Sequence, residues 1–258
     1  MNVAYGARTD VGGHRDLNED AVLATSPIFM VADGMGGHAA GEVASALAVE
    51  QMGTLAGHAD LRPDDVLRAV HAANDSIMAR ESEQVETAGM GTTVSGVCLG
   101  TVGGSPHWFV FNVGDSRVYE LVDGILRQLT VDHSEVAELI SAGRITAAEA
   151  RNHPLRNVVT RSLGSEPPPV PDMWVLPVVE GQRLLVCSDG LPLEVSDEQI
   201  LTLLRDAATP QQAADALVNT AVAAGGRDNV SVVVVDVLPS RETAVVDVAT
   251  APRTRMGE

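Results

Sequence analysis

Cysteine and aromatic residues are scarce in this chain of 258 residues. Its two cysteines, Cys98 and Cys187, lie inside apolar, strand-like runs and have no CxxC spacing. This excludes a disulfide framework and predicts reduced thiols in the core of a cytoplasmic protein. Aromatic residues make up 3% of the chain and apolar residues 45%, so we expect a sizeable core built mainly from valine, leucine, isoleucine and alanine.

Positive charge and long apolar runs are also lacking. The chain has 17 basic against 35 acidic residues and a formal net charge of -18, which argues against binding nucleic acid through a general basic surface. No apolar run approaches the roughly 20 residues that cross a bilayer, and the first residues lack a charged-then-apolar signal peptide. We therefore expect a cytoplasmic protein with no membrane segment in this chain; an anchor in a longer gene product stays open.

The pattern of strands and helices predicts one large domain at residues 1–238, followed by a flexible tail at 239–258. Strands are predicted at 3–9, 21–25, 28–32, 92–99, 108–113, 117–121, 125–129, 173–176, 183–187 and 229–237, and helices at 40–56, 63–82, 134–142, 146–152, 197–206 and 210–223. Runs of consecutive strands, with helices in separate pairs, favour an α+β fold in which two β-sheets pack face to face with helices outside.

Five aspartates each follow or precede a hydrophobic strand at a sharp turn: Asp20, Asp33, Asp115, Asp189 and Asp228. Carboxylates that converge at the ends of buried strands repel one another unless a cation lies between them. Oxygen ligands alone select hard metals such as Mg²⁺ or Mn²⁺ over zinc. The pattern therefore suggests a carboxylate-bridged metal centre of the kind that commonly performs hydrolysis.

Six blocks of sequence occur in a fixed order along nearly the whole chain: RDLNEDA, VADGMGGHAAGEVAS, GMGTTVSGV, FNVGDSRVY, CSDGL and GGRDNVSVVVV. In order and spacing they resemble the metal-dependent, type 2C protein serine/threonine phosphatases, and the DGMGGH form is similar to the bacterial branch. The resemblance implies a four-layer α-β-β-α sandwich, with two antiparallel β-sheets packed face to face and flanked by helix pairs. It places metals at one edge of the sandwich.

The resemblance implies two Mn²⁺ or Mg²⁺ ions per active site. The residue matching the bridging carboxylate is Asp33, and the backbone carbonyl of Gly34 matches a ligand of the second metal. Asp189 and Asp228 match the remaining ligands of the first metal. Taken alone, these aspartates would be ordinary turn formers or helix caps.

Two more carboxylates complete the implied metal set. Of the acidic pair Glu19 and Asp20, which matches a contribution to the second metal, Asp20 is the preferred ligand. Asp115, together with Asp189, matches the site of a third, weaker metal in bacterial relatives. The alternative for Asp115 is a residue that only shapes its turn or pairs with Arg117.

Catalytic groups other than the metals are fewer. Arg15 matches the arginine that binds the substrate phosphate, and its alternative is an ion pair with Asp16 or Asp20. His38 is a candidate general acid, although it could instead pack beside the start of a helix. His133 is expected to anchor its loop, and residues 133–164 are expected to form a mobile flap that influences substrate choice.

These observations predict a metal-dependent phosphatase that hydrolyses phosphoserine and phosphothreonine in proteins by direct attack of a metal-bridging water. Its expected partners are phosphorylated proteins, namely Ser/Thr kinases and their substrates, and we expect a monomer. Two alternatives are a pseudo-enzyme that uses the scaffold for binding and a phosphatase acting on a small anti-anti-sigma-type partner.

The glycine-rich GMGGHAAG lacks the GK[ST] ending of a nucleotide loop, and no GxSxG or CxxxxxR nucleophile motif occurs.

Overall fold

The computed structural model describes residues 2–36, 40–83 and 89–239 of the chain. In chain order, its elements are β1 (Val3–Asp10), β2 (Asp20–Thr25), β3 (Ile28–Met35), α1 (Ala40–Gly53), α2 (Pro63–Glu83), β4 (Gly91–Thr92), β5 (Val94–Val102), β6 (Ser105–Val113), β7 (Arg117–Val122), β8 (Ile125–Gln128), α3 (Glu135–Ser141), α4 (Ala147–Ala150), β9 (Asp172–Pro177), β10 (Arg183–Cys187), α5 (Gly190–Glu194), α6 (Asp197–Asp206), α7 (Pro210–Ala224) and β11 (Val230–Val237).

The strands form two antiparallel sheets. The first has the order β1-β11-β10-β7-β8, and the second has the order β2-β3-β5-β6-β9 with the short β4 paired to β3. Neighbouring strands run antiparallel in both sheets. The predicted α+β class with two antiparallel sheets is confirmed.

Side chains alternate between two apolar layers along each central strand, because successive residues of a strand point to opposite faces. In β3, Phe29 and Val31 belong to the core between the two sheets, whereas Ile28 and Met30 belong to the core beneath α1 and α2. Helices α6 and α7 cover the outer face of the first sheet with a third apolar cluster. The layers therefore follow the predicted order α-β-β-α.

The predicted element boundaries are wrong at several places that matter for the site. Strand β3 does not end at residue 32 but continues to Met35, because Gly34 and Met35 pair with β4, a strand too short to leave a sequence pattern. Helix α5 was not predicted; it begins directly after Asp189. Helix α1 ends at Gly53 rather than at residue 56.

No helix in the described ranges is long and apolar enough to span a membrane. Apart from Pro239, the predicted tail lies outside the described residues, so the domain boundary at residue 238 stays a prediction.

Candidate metal centre

Elements from both sheets bring the five predicted carboxylates to one end of the sandwich. Asp20 and Asp33 are direct cross-strand partners in β2 and β3 of the second sheet. Asp189 follows β10, and Asp228 precedes β11 in the first sheet. Asp115 lies in the turn that leads from β6 of the second sheet to β7 of the first. The sequence-predicted aspartates are therefore gathered where the two sheets meet.

The pKa of Asp33 shows that the other carboxylates of the cluster repel this side chain. Burial raises the pKa of Asp33 well above its usual value, and repulsion from Asp20, Asp189, Asp115 and Asp228 raises it further, in that order. All four other carboxylates of the cluster thus act on this one side chain. Without a compensating cation, such a group resists ionisation.

Three neighbours of Asp33 have similarly perturbed carboxyl groups. Burial, followed by repulsion from other aspartates, raises the pKa of Asp20 to about 7 and that of Asp115 to about 8. Burial and repulsion from Asp228 raise the pKa of Asp189 to about 6. The cluster therefore holds protons at a pH where isolated aspartates have none.

Hydrogen bonds occupy several oxygens of the cluster. The hydroxyl of Ser188 donates to Oδ2 of Asp20 at 2.9 Å, and the backbone N–H of Asn229 donates to Oδ1 of Asp228 at 2.8 Å. Asp189 stands at the N-cap of α5, yet its side chain makes no capping hydrogen bond. An ordinary cap, the alternative for this residue, is therefore not the role that the geometry supports.

The donor set fits a hard divalent cation. Its side-chain donors are carboxylate oxygens, which are the ligands that Mg²⁺ and Mn²⁺ prefer. Within the described ranges, no three His, Cys, Asp or Glu side chains form a ready-made metal site. A cation bound here would take the place of the protons that the raised pKa values favour on Asp20, Asp115 and Asp189.

Close packing explains why glycine follows Asp33. A Cβ atom on Gly34 would lie 2.1 Å from the carbonyl oxygen of Gly41 and 2.5 Å from that of Glu19. The Glu19 side chain points to the start of α1, where its Oε1 would lie 2.6 Å from a Cβ atom on Gly41. Of the acidic pair Glu19 and Asp20, it is therefore Asp20 that reaches the cluster.

The turn that carries Asp115 is fixed by a buried histidine. The backbone N–H of Gly114 donates to Nδ1 of His133 at 3.0 Å, and Nε2 of His133 lies 3.1 Å from Oδ2 of Asp172. His133 thus anchors its loop, as predicted. Arg117 does not pair with Asp115; its guanidinium binds both carboxylate oxygens of Asp132.

Arg15 lies at the edge of the cluster with a partner that the sequence did not indicate. Its Nη2 is 2.7 Å from Oδ2 of Asp228, whereas the expected alternatives were Asp16 and Asp20. The hydrogen bond to Asp228 and attraction to Glu19 and Asp33 raise the pKa of Arg15. The guanidinium therefore faces the same carboxylates that are predicted to hold metal.

Thr93 and Asn229 belong to the site although the sequence did not predict them. His38 lies outside the described residues. Thr93 was missed: its Oγ1 accepts from the backbone N–H of Asp33 at 2.9 Å, and its N–H donates to the carbonyl of Asp33. Asn229 was also missed, although it contacts the loop that carries Arg15. A single threonine or asparagine beside a strand gives no distinctive pattern in a sequence.

Comparison with known proteins decides the family. The family model for protein phosphatase 2C matches residues 14–224. The chain belongs to the protein phosphatase 2C family. It is 42% identical over 242 residues to serine/threonine protein phosphatase PstP of Mycobacterium tuberculosis, with 91% of this chain covered. It is 36% identical over 240 residues to serine/threonine phosphatase stp of Listeria monocytogenes, covering 89% of this chain and 94% of that protein.

Solved structures of this phosphatase family share the fold. The crystal structure of the M. tuberculosis phosphatase PstP/Ppp superposes with a TM-score of 0.86 at 39% identity and covers 92% of this chain and 99% of that one. A structure of the PstP catalytic domain in complex with two manganese ions gives a TM-score of 0.82 with the same coverage. The chain spans 45% of the length of the curated mycobacterial PstP. The predicted family and four-layer fold are confirmed.

Proposed function

We propose that this protein is a serine/threonine protein phosphatase that requires Mn²⁺ or Mg²⁺. The observation that carries the proposal is Asp33, whose carboxyl group is buried and repelled by four other carboxylates at the junction of the two sheets. A cluster of this kind is costly without cations. Relatives of the same family are named serine/threonine phosphatases, which supports the substrate class.

The residues that would hold two cations are those of the cluster. Asp33 is the proposed bridging ligand, and Asp189 and Asp228 are proposed for the first metal. Asp20 and the carbonyl of Gly34 are proposed for the second. Divalent cations bound there would lower the pKa of water, which would attack phosphorus directly, and would neutralise phosphoryl charge.

Arg15 is proposed to bind the phosphoryl oxygens, because a guanidinium offers a planar fork of N–H donors that matches them. In the present geometry this fork is paired with Asp228. When Asp228 turns to a cation, the guanidinium becomes available to the substrate phosphate. The side chain is half exposed, so this exchange needs no movement of the core.

Phosphate release from a phosphothreonine peptide tests the proposal directly. We expect release in the presence of Mn²⁺ and none after chelation with EDTA, with recovery when Mn²⁺ is added back. Full activity after exhaustive chelation would contradict the metal requirement. Absence of release from any phosphopeptide at millimolar Mn²⁺ would favour the alternative of a binding module without phosphatase activity.

Substitution Arg15→Ala should weaken substrate binding more than metal binding. The lost contact is a charge-assisted hydrogen bond, so we expect KM for the phosphopeptide to rise by about tenfold or more. The affinity for Mn²⁺, measured by calorimetry, should change little and in the direction of tighter binding, because Asp228 loses a competing partner. A collapse of Mn²⁺ affinity would instead make Arg15 a structural partner of the acidic cluster.

Substitution Asp115→Ala tests the proposed third, weaker metal. Asp115 feels repulsion chiefly from Asp189, so these two side chains could share a cation that has few other protein ligands. We expect two Mn²⁺ ions to remain bound, turnover to fall and the dependence of turnover on Mn²⁺ to shift to higher concentration. Unchanged kinetics, with no anomalous density beside Asp115 in a crystal soaked in Mn²⁺, would leave it a turn residue.

The segment between β8 and β9 is attached to the centre at both ends. At its start, the N–H of His133 donates to the carbonyl of Gly114 at 2.9 Å. Near its end, Leu163 exchanges two backbone hydrogen bonds with Thr92, which is the β4 residue opposite Gly34. Between these points, α3 has no buried residue. We propose that residues 133–164 form a flap that contacts the substrate; its mobility stays a prediction.

Three flap arginines, Arg144, Arg151 and Arg156, are exposed. Arg151 is attracted to the carboxylate of Glu198, whereas the fourth flap arginine, Arg161, is paired with Asp172. In a chain of net charge -18, the three exposed arginines offer contacts for acidic residues that flank the phosphorylated side chain. Replacing all three by glutamine should lower kcat/KM for a phosphopeptide with acidic flanks by about tenfold, while a peptide with neutral flanks is affected about threefold or less. Equal losses for the two peptides would contradict this role.

A further inference from the structure

A buried side chain, Asn229, connects the Arg15 loop (residues 11–19) to the start of β11. Its Oδ1 accepts from the backbone N–H of Glu19 at 2.9 Å. Its Nδ2 donates to the carbonyls of Val11 at 2.9 Å and Leu17 at 3.0 Å. Asn229 is 5% exposed, and all of these partners lie in one loop. An amide has two N–H donors and one carbonyl acceptor, so each of its polar groups is used on this loop.

The contacts of Asn229 lie on both sides of Arg15 in the sequence. Val11 begins the loop, and Leu17 and Glu19 end it, so one amide closes the segment at both ends. A second bridge supports the same closure, since the N–H of Gly13 donates to the carbonyl of Gly226 at 2.7 Å. Arg15 therefore projects from a loop whose ends are fixed to the chain on either side of Asp228.

The other side of Asn229 faces the carboxylate cluster. Its backbone N–H donates to Oδ1 of Asp228 at 2.8 Å. A Cβ atom on Gly190, the residue after Asp189, would lie 2.0 Å from the carbonyl oxygen of Asn229. This residue thus lies between two proposed metal ligands and the loop that carries the proposed phosphate ligand.

We propose that Asn229 is the positioning residue for Arg15: its side chain holds the Arg15 loop so that the guanidinium faces the carboxylate cluster. The inference rests on the proposed function for its effect on substrate, while the fixation of the loop is independent of it. Asn229 touches no reacting group in this role and acts through Arg15. Its substitution should therefore change phosphate binding more than the bond-breaking step.

Substitution Asn229→Ala, compared with Arg15→Ala and the double variant, tests this role. We expect Asn229→Ala to raise KM for a phosphothreonine peptide by about tenfold, the scale of one charge-assisted hydrogen bond, with kcat lowered by about threefold or less. In the Arg15→Ala background, the same substitution should add less than about twofold, because residues that act through one contact are not additive. Asn229→Asp keeps the size of the side chain but places a carboxylate oxygen against the carbonyls of Val11 and Leu17, which it cannot donate to. It should therefore also raise KM.

Asn74 offers a matched control. It is also buried, its Oδ1 accepts from the N–H groups of Gly164 and Ser165, and its Nδ2 donates to the carbonyl of Ser165. Asn74→Ala should therefore lower thermal stability by a similar amount, but its effect on KM should add fully to that of Arg15→Ala. If Asn229→Ala is also fully additive with Arg15→Ala, the positioning role is wrong.

Hydrogen exchange of the metal-free protein provides a readout that needs no phosphatase activity. Asn229→Ala should speed exchange at residues 11–19, most clearly at the Glu19 amide, while Val230–Val237 stays protected. Unchanged protection of the loop would overturn the inference. If the wild-type protein releases no phosphate, the proposed function fails, and the exchange result alone still decides whether Asn229 holds the Arg15 loop.

Discussion

Substitution Asp33→Ala is expected to lower turnover by more than about 100-fold while leaving the fold intact. Losing only a hydrogen-bond partner of a metal ligand costs about 10–100-fold in activity or affinity, and Asp33 is the proposed bridging ligand itself. In the metal-free protein the same substitution removes the carboxylate that four others repel. Its melting temperature in EDTA should therefore equal or exceed that of the wild type.

Asp236→Ala provides the control for this substitution. Asp236 is also an acidic residue of a core strand, but it lies far along β11 from Asp228 and pairs with Arg183. The Arg183 guanidinium also donates to the carbonyls of Leu204, within α6, and Ala207, just after it. We expect Asp236→Ala to lower stability and to retain near wild-type turnover. Kinetics should be recorded together with circular dichroism. An Asp33→Ala variant that is folded and nearly as active as the wild type would contradict the assigned role.

In EDTA, the free energy of unfolding should fall as the pH rises from 5 to 8. Burial raises the pKa of Asp189 to about 6, of Asp20 to about 7 and of Asp115 to about 8, whereas these groups titrate near 3.9 when unfolded. Between the unfolded and folded pKa values, the folded state binds more protons than the unfolded state. The stabilising contribution of the three carboxyl groups is therefore complete below about pH 4 and is lost as the pH rises through 6 to 8. The loss should be at least about 3 kcal/mol.

Saturating Mn²⁺ should remove this trend, because a cation stabilises the ionised carboxylates and competes with protons for them. Urea unfolding at several pH values, in EDTA and in saturating Mn²⁺, measures how the free energy of unfolding depends on pH under each condition. The Asp33→Asn variant should show a flatter dependence in EDTA, and Asp123→Asn, a change at an exposed hairpin turn, should keep the wild-type slope. A free energy of unfolding that increases from pH 5 to pH 8 in EDTA would contradict the predicted ionisation of the cluster.

The sequence predicted the fold and the acidic residues of the site because both leave local patterns. The aspartates follow or precede long apolar runs, and the ends of such runs become strand ends. The Asp123–Gly124 hairpin turn also follows a local pattern, since both residues adopt positive φ and an Asp-Gly pair favours this conformation.

Other parts of the site could not be predicted because their partners are distant in the chain. Arg15 and Asp228 are 213 positions apart, so no spacing rule connects them. Asn229 precedes the last strand as an ordinary polar residue, and only the folded chain shows that its side-chain amide forms hydrogen bonds with residues 11–19. The two-residue strand β4 pairs with Gly34 and Met35 at the end of β3, and two residues are too few to show a periodicity in the sequence.

Calorimetric titration of the metal-free protein with Mn²⁺ tests the central claim most directly, because it measures the cations themselves. The wild type is expected to bind two Mn²⁺ ions tightly, with release of protons from the cluster, and Asp33→Ala is expected to lose both tight sites while Asp236→Ala keeps them. A wild type that binds no Mn²⁺ at pH 8, or an Asp33→Ala variant that still binds two ions as tightly, would contradict the account.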